Sequence, residues 1–370
     1  MRKNIQYKKL GDICDFISGG TPSKSKIEYW KDGKIPWIKI SDFKKKYIKI
    51  SDEKITKSGL ENSSAKILKK GTILYTIFAS VGKVAILDIE ATTNQAIVGI
   101  DLKENNLLDK DFLYYFLCSI ENNIKKQARG VAQNNINISI LKNISIPILS
   151  MSLQKNIVKT LKKLEDILEN FKQKKLLINF LNKSLFIKFN KNGVEKQLDE
   201  VADIIMGQSP LSQSYNIDKK GLPFYQGKTE FGDMYIKESN IYCNSPIKIA
   251  EKNDILMSVR APVGDVNIAI HKSCIGRGLA SIRAKKIDYL YLFYLLKEQK
   301  TRIEKMGVGS TFKAINKNNI SSLKMSIVEM NKQNKIKKYL ILTEKLSFEI
   351  EKSIKEAQNL YNSLMNKYFD

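Results

Sequence analysis

The sequence predicts an α+β protein: two similar mixed α/β domains separated by two long helices that pair as an antiparallel coiled coil, giving a pseudo-two-fold internal repeat. Three observations predict it. The length, 370 residues, suits two domains better than one. A series of motifs occurs twice in the same order. A heptad pattern follows each series. The boundaries that follow are 1–150 for the first domain, 151–192 for the first helix, 193–328 for the second domain and 329–370 for the second helix.

The repeat begins at residues 10–22 (LGDICDFISGGTP), which match residues 198–210 (LDEVADIIMGQSP) 188 positions later. Residues 35–38 (IPWI) match 222–225 (LPFY), offset 187. Residues 73–84 (ILYTIFASVGKV) match 255–266 (ILMSVRAPVGDV), offset 182. Residues 112–117 (FLYYFL) match 291–296 (YLFYLL), offset 179, and Ile136-Asn137 match Ile315-Asn316 at the same offset. The shrinking offset places the deletions between blocks, where loops tolerate them. The matched residues are apolar, Gly and Pro positions of strand-and-turn character, with a short helix near Phe112 to Ile124.

Each helix reads from a spacing that alternates four and three. In the first, the seam is Ile157, Leu161, Leu164, Leu168, Phe171, Ile178, Leu185 and Phe189, with Lys175 and Asn182 at the polar exceptions. In the second it is Ile336, Leu340, Ile350, Ile354, Ala357, Tyr361, Leu364 and Tyr368, with Thr343 and Ser347 as exceptions. Asn192-Gly193 ends the first run as a C-terminal cap. A helix of about 38 residues is roughly 57 Å long, far more than a domain of ordinary size needs for its own core. Mutual pairing of the two helices follows, with polar seam residues fixing the register.

Charge narrows the function. Lys+Arg number 63 against 38 Asp+Glu, a formal charge of +25, which points to a polyanion and first to nucleic acid. Hydrophobic residues make up 43% of the chain, so a folded protein is expected. The basic N-terminus has no apolar stretch behind it, and the run at 71–82 is too short to span a bilayer. Its counterpart also carries Arg260 and Asp265, so no membrane role and a cytoplasmic location are expected. The four cysteines, Cys14, Cys118, Cys243 and Cys274, show no CxxC spacing and read as small buried hydrophobes. His271 is the only histidine, so a zinc site or a histidine triad is not expected, and the metal expectation is none. No GxxxxGK[ST] string occurs. Gly19-Gly20 lacks the alternating glycines of an S-adenosylmethionine loop and reads as a turn after a strand. No Asn-Pro-Pro-aromatic string is present, so no catalytic residue is assigned.

Taken together, the repeated blocks resemble the specificity subunit of type I restriction–modification enzymes, over essentially the whole chain. The resemblance lies in residues 10–22 with their copy at 198–210, in 257–264 (MSVRAPVG), in 274–280 (CIGRGLA) and in 309–313 (GSTFK); residues 130–137 (GVAQNNIN) look like another version of the last segment. It implies two target-recognition domains on a coiled-coil spacer, each reading one half of a bipartite, asymmetric target in double-stranded DNA. It also implies two methyltransferase subunits as partners, and motor-nuclease subunits in the full complex. The chain itself would bind no cofactor; the partners would use S-adenosylmethionine, ATP and Mg. Two other readings stand beside it: a DNA-bridging architectural protein without sequence preference, and the targeting portion of a fused methyltransferase or nuclease.

Candidate DNA contacts come from equivalent loops with different chemistry. After Pro36-Trp37 stand Lys39, Lys44, Lys45 and Lys46; the matching loop, 225–232, holds Gln226 and Lys228. Gln can bond adenine in a bidentate way, and Arg or Lys can bond guanine. Lys44, Lys45, Gln226 and Lys228 are the first choices. Arg260, Arg277 and Lys313 lie in the family-like strings; an Arg can fork onto guanine or phosphate, or tie a loop to a carboxylate such as Asp265. Gln133 and Asn134 stand near the place of Lys313 in the first domain. Trp30 and Trp37 are expected in the core, and the outer helix faces, rich in Lys and Glu, are expected to meet methyltransferase helices. The Lys, Ile and Asn richness suggests an AT-rich genome, which lessens the meaning of any single lysine.

Overall fold

The computed structural model describes residues 5–103, 107–120, 136–307 and 314–369. The chain divides into two compact units, Met1–Lys172 with Ser353–Asp370, and Gln173–Lys352. Both long helices, Met151–Phe189 and Met330–Phe369, contribute to each unit.

The described residues of the first unit form ten strands: β1 (Gln6–Lys9), β2 (Cys14–Ser18), β3 (Ile35–Ile38), β4 (Tyr47–Ile48), β5 (Glu53–Ile55), β6 (Ile73–Thr76), β7 (Val84–Leu87), β8 (Thr92–Thr93), β9 (Ile97–Leu102) and β10 (Ser145–Ile148). They form a five-stranded sheet, β2-β9-β6-β7-β4, a three-stranded sheet, β5-β3-β8, and the pair β1-β10. β6 explains the apolar run at 71–82. It is central, antiparallel to both β7 and β9, and buried throughout. Side chains alternate along a strand. Ile73 and Tyr75 therefore join the cluster with helix Lys110–Ser119, while Leu74 joins Ile38, Ile48 and Leu68 on the other face. A strand covered on both faces has no polar side to show.

Helix Lys110–Ser119 starts where the Asp109 carboxylate accepts from the Phe112 N–H (3.0 Å). Residues Phe112 to Leu117 are all buried. They pack against Ile157, Val158 and Leu161 of the long helix and against Met365 near the end of the chain. Phe369 closes this core, its ring 5.2 Å from that of Phe112. Glu165 accepts from the hydroxyls of Tyr115 (2.7 Å) and Tyr361 (3.2 Å).

The described residues of the second unit form eleven strands: β11 (Val194–Gln197), β12 (Ala202–Met206), β13 (Tyr215–Asn216), β14 (Leu222–Tyr225), β15 (Tyr242–Cys243), β16 (Ile249–Ala250), β17 (Ile255–Ser258), β18 (Val266–Ile268), β19 (Ser273–Ile275), β20 (Leu279–Ala284) and β21 (Lys324–Ile327). The sheets are β12-β20-β17-β18, β13-β15-β14-β19-β16 and the pair β11-β21. β17 repeats the logic of β6. Ile255 and Met257 meet helix Tyr289–Glu298, and Leu256 meets Tyr225 and Ile236. Within this unit Lys175 pairs with Glu351 and the Phe189 ring stacks on Tyr339, centroids 5.7 Å apart. As one number rises the other falls, so these helix segments run antiparallel.

Of the seam residues, Ile157, Leu161, Leu164, Leu168, Ile178, Ile336, Leu340 and Ile350 are buried; Phe171, Ile354, Tyr361 and Leu364 are half-buried. Phe186, one position beyond Leu185, is more buried than Leu185 because it packs on Tyr291 and Tyr294 of its own unit. The polar exceptions are accommodated. Thr343 turns its hydroxyl back to the Tyr339 carbonyl (3.0 Å), and Lys175 is held by Asp233 and Glu351. The helix stops at Phe189, and Asn192 takes a left-handed φ of 61° in the turn that follows.

The heptad pattern did not reveal two buried glutamines. Gln154 accepts from Asp109 N (2.8 Å) and donates to the carbonyls of Leu107 and Leu149. Gln333 accepts from Asp288 N (3.0 Å) and donates to the Val328 carbonyl (2.8 Å). Each fastens the start of a long helix to the approach of the short helix in its unit. They stand 179 residues apart, the offset of the flanking blocks, and that offset was their sequence signal.

Candidate nucleic-acid interface

The loops that differ between the two domains gather where a pair of parallel strands ends. In the second unit, β14 and β19 run parallel with Tyr225 beside Ile275. Beyond them the backbone is knitted together. Gln208 N donates to Ile275 O (3.0 Å), Gly276 N to Tyr225 O (2.8 Å), Gly278 N to Gln226 O (3.1 Å) and Val259 N to Gly278 O (2.9 Å). Gly207 N donates to Leu279 O (2.8 Å), and a Cβ at Gly207 would lie 2.1 Å from the Gly276 oxygen. Only glycine permits that approach, which accounts for the glycine after β12.

The first unit repeats four of these five bonds, and at the fifth place Ala96 N donates to Asn94 Oδ1 (3.1 Å). β3 and β8 run parallel with Ile38 beside Thr93. Gly20 N donates to Thr93 O (2.8 Å), Asn94 N to Ile38 O (3.1 Å), Ile77 N to Ala96 O (2.8 Å) and Gly19 N to Ile97 O (3.2 Å). A Cβ at Gly19 would lie 2.0 Å from the Asn94 oxygen. The turn after the central strand matches as well. The Thr76 and Ser258 hydroxyls donate to Ser80 O and Pro262 O, and accept from Lys83 N (2.9 Å) and Asp265 N (3.0 Å). Gly82 and Gly264 follow with φ of 96° and 87°.

On this common frame the side chains diverge. In the second unit the Ser209 hydroxyl donates to Gln226 Oε1 (3.0 Å) and accepts from Arg277 N (3.3 Å). Gln226, Arg260 and Arg277 are exposed. The tie that the sequence offered between Arg260 and Asp265 is not the one formed. Asp265 is taken by Lys228 (2.6 Å) and Lys300 (2.5 Å). Partial burial pushes its carboxyl up, but the hydrogen bonds from the two lysines outweigh this and hold it below the usual range. These residues, with Phe231, Asn267 and Lys297, line a cavity of about 350 Å³.

In the first unit the predicted lysines part company. Lys44 and Lys45 are exposed; Lys44 lies 3.8 Å from Asp52. Lys39 is tied to Glu53 (2.5 Å), which also holds Lys24 (2.6 Å). Those two hydrogen bonds lower the Glu53 carboxyl below its usual value. Lys46 departs from the expected outward role. Its ammonium lies 3.0 Å from Asp111 and 4.4 Å from the ring centres of Tyr114 and Tyr115. A side chain 15% exposed, boxed by two rings and a carboxylate, joins the approach to β4 to helix Lys110–Ser119 rather than facing a ligand. Trp37 is buried and donates to Gly20 O (2.9 Å), and Trp30 packs edge-on against it. Gln133, Asn134 and Lys313 lie outside the described residues.

Three polar residues at the rims were not among the sequence choices: Thr21, Gln95 and Ser209. Thr21 and Ser209 stand at the same place in the first repeated block, 188 positions apart, and that was the available signal. Among the described residues no cluster of His, Cys, Asp and Glu could hold a metal ion, and no helix is long and apolar enough to cross a membrane.

A duplicated frame with divergent side chains at its rims defines a two-domain recognition protein. The model of the type I restriction modification DNA specificity domain matches residues 2–179 and again 190–358. A putative type I restriction enzyme specificity subunit, MjaX, of Methanocaldococcus jannaschii is 33% identical over 96% of this chain and 92% of its own length. The EcoR124I/EcoR124II specificity subunit of Escherichia coli is 31% identical over 44% of this chain and 41% of its own. Two solved structures share the fold. A chain from a type I R-M system studied for complex assembly and conformational transition gives a TM-score of 0.64 at 24% identity, over 100% of this chain and 98% of that one. The type I S subunit from M. genitalium gives 0.61 at 20% identity, over 99% and 96%. The chain belongs to the type I restriction–modification DNA specificity family.

Proposed function

We propose that the chain is the non-catalytic DNA specificity subunit of a type I restriction–modification enzyme, with each domain reading one half of a bipartite, asymmetric target. The observation that carries this reading is the pair of equivalent rims. One backbone frame presents Thr21 and Gln95 in one unit and Ser209, Gln226 and Arg277 in the other. A shared frame with unlike side chains suits two half-sites of unlike sequence. The net charge of +25 supports a duplex partner.

The domains of this reading are 1–150 and 193–328, with spacer helices at 151–192 and 329–370 that pair as an antiparallel coiled coil and set the unread spacing. The antiparallel pairs within the second unit support the pairing. A helix of 39 residues is about 58 Å long, more than one turn of DNA at about 34–36 Å. The helices also dock two methyltransferase subunits, beside which motor-nuclease subunits assemble. Their outer face is less polar than the sequence reading expected. Leu176, Leu177, Phe180, Leu346 and Phe348 are all exposed, and exposed apolar side chains along two long helices suit a partner made of helices. S-adenosylmethionine, ATP and Mg belong to those partners in this reading, and the complex works in the cytoplasm.

Domain exchange tests the reading. Replacing residues 197–328 by another domain of the family changes one half of the methylated motif and leaves the other. A change in both halves overturns modular readout. Equal competition by random DNA for the bound duplex overturns specific recognition.

A further inference from the structure

We propose that Gln95, seated by Thr21, and Arg277, seated by Ser209, are the equivalent base-reading positions of the two domains, with adenine facing Gln95 and guanine facing Arg277. This deepens the proposed function and rests on it.

The equivalence comes from the backbone. Gln95 lies in the turn between Thr93 and Ile97, and Arg277 lies in the turn between Ile275 and Leu279. Both turns are closed by the same bond, Ile97 N to Asn94 O (3.2 Å) and Leu279 N to Gly276 O (3.0 Å). Both are crossed by the glycine that follows the first long strand and by the end of the central strand. The framework uses the backbone groups named above, so they are not free to distinguish one base from another. What differs at this address is the side chain.

Each side chain is exposed, and a hydroxyl at the matching place bonds each residue: Thr21 the side chain of Gln95, Ser209 the backbone of Arg277. Thr21 Oγ1 donates to Gln95 Oε1, which leaves the amide N–H₂ and a second lone pair of Oε1 for a ligand. That donor–acceptor pair is what adenine N7 and N6 ask for in the major groove. Ser209 Oγ accepts from Arg277 N, which fixes the turn and leaves the guanidinium untouched. Among the described residues Arg277 has no carboxylate partner in an ion pair. A guanidinium so placed suits the two acceptors of guanine, O6 and N7. The other matched pair is unequal. Gln226 is exposed and bonded to Ser209, whereas Lys39 at the same address is committed to Glu53. The first domain therefore leans on Gln95 where the second has two readers.

The test is selection from a randomised duplex library by the full-length chain with the subunits that co-purify with it. Wild type is expected to enrich a two-part motif. Gln95→Ala is expected to lose about tenfold or more of its discrimination at one A·T position of one half-site, with the other half-site intact. Arg277→Ala is expected to do the same at one G·C position of the other half-site. Gln95→Glu keeps the shape and removes the donor, and should move the preference at that position toward cytosine. The proposal is overturned if Gln95→Ala and Gln95→Glu keep the wild-type preference. It is also overturned if Gln95→Ala weakens all sequences alike, as loss of a phosphate contact would, or changes both half-sites. A wild type that enriches no motif overturns the specificity reading itself, which separates the two failures. Unchanged thermal unfolding of the variants, expected for exposed side chains, shows that the fold is intact.

Discussion

At the scale of residues, charge was the least reliable guide to role. Lys46 sits in a lysine-rich stretch yet serves as an internal tie to Asp111, which also holds Lys162 at 2.6 Å. Partial burial raises the Asp111 carboxyl, but the two ammonium groups bring it below its ordinary value. A lowered acid contributes stability that is present above its unfolded value of about 3.9 and is lost as pH falls through the folded one. Asp111→Asn should therefore cost about 2 kcal/mol at neutral pH, mostly through Lys46, because Lys162 is 42% exposed and screened. In thermal unfolding the gap between variant and wild type should narrow as pH falls toward 3. A gap that stays constant with pH would mean the carboxylate charge is not what matters. Glycines give the second prediction. Gly207→Ala drives a Cβ into backbone and should cost about 1–3 kcal/mol in denaturant unfolding, whereas Gly227→Ala, with nothing within 4 Å, should be nearly neutral.

At the scale of elements, what could be read was what repeats along the chain. The central strand β6 read as part of an apolar run, and β17 as its repeat, because each is covered on both faces. The seam of the long helices was legible at Ile157, Leu161, Ile336 and Leu340, whose spacing follows the helical period. It was not legible at Phe186, whose burial is set by Tyr291 and Tyr294, more than a hundred residues away. The apolar outer face also escaped the heptad reading, which looks only at the seam. Phe180→Lys should leave folding within about 0.5 kcal/mol, since Phe180 is 70% exposed. If the helices dock methyltransferase subunits as proposed, the same change should weaken their co-purification, measured by quantitative pull-down. Undiminished co-purification would place their docking elsewhere.

At the scale of the whole molecule, the charge of +25 is a statement about how binding responds to salt. Each phosphate neutralised releases counterions, so log affinity should fall linearly with log salt, by about 0.9 per contact. Binding titrations from 50 to 200 mM salt should show this slope. Removing Lys44 and Lys45 should reduce it by about 1–2 without changing the preferred motif. A changed motif would make those lysines readers of bases. The sequence by itself determined the duplication, the two long helices and the family, because apolar periodicity and repeated Gly and Pro positions are local and survive divergence. Only the tertiary structure decided which polar residues share a rim. Thr21 meets Gln95, and Ser209 meets Gln226 and Arg277, across separations of 74, 17 and 68 residues. Lys39 and Lys46, candidates on the sequence alone, are spent on Glu53 and Asp111. A side chain's partner is fixed by which strands end together, and that follows from the packed sheet rather than from spacing along the chain.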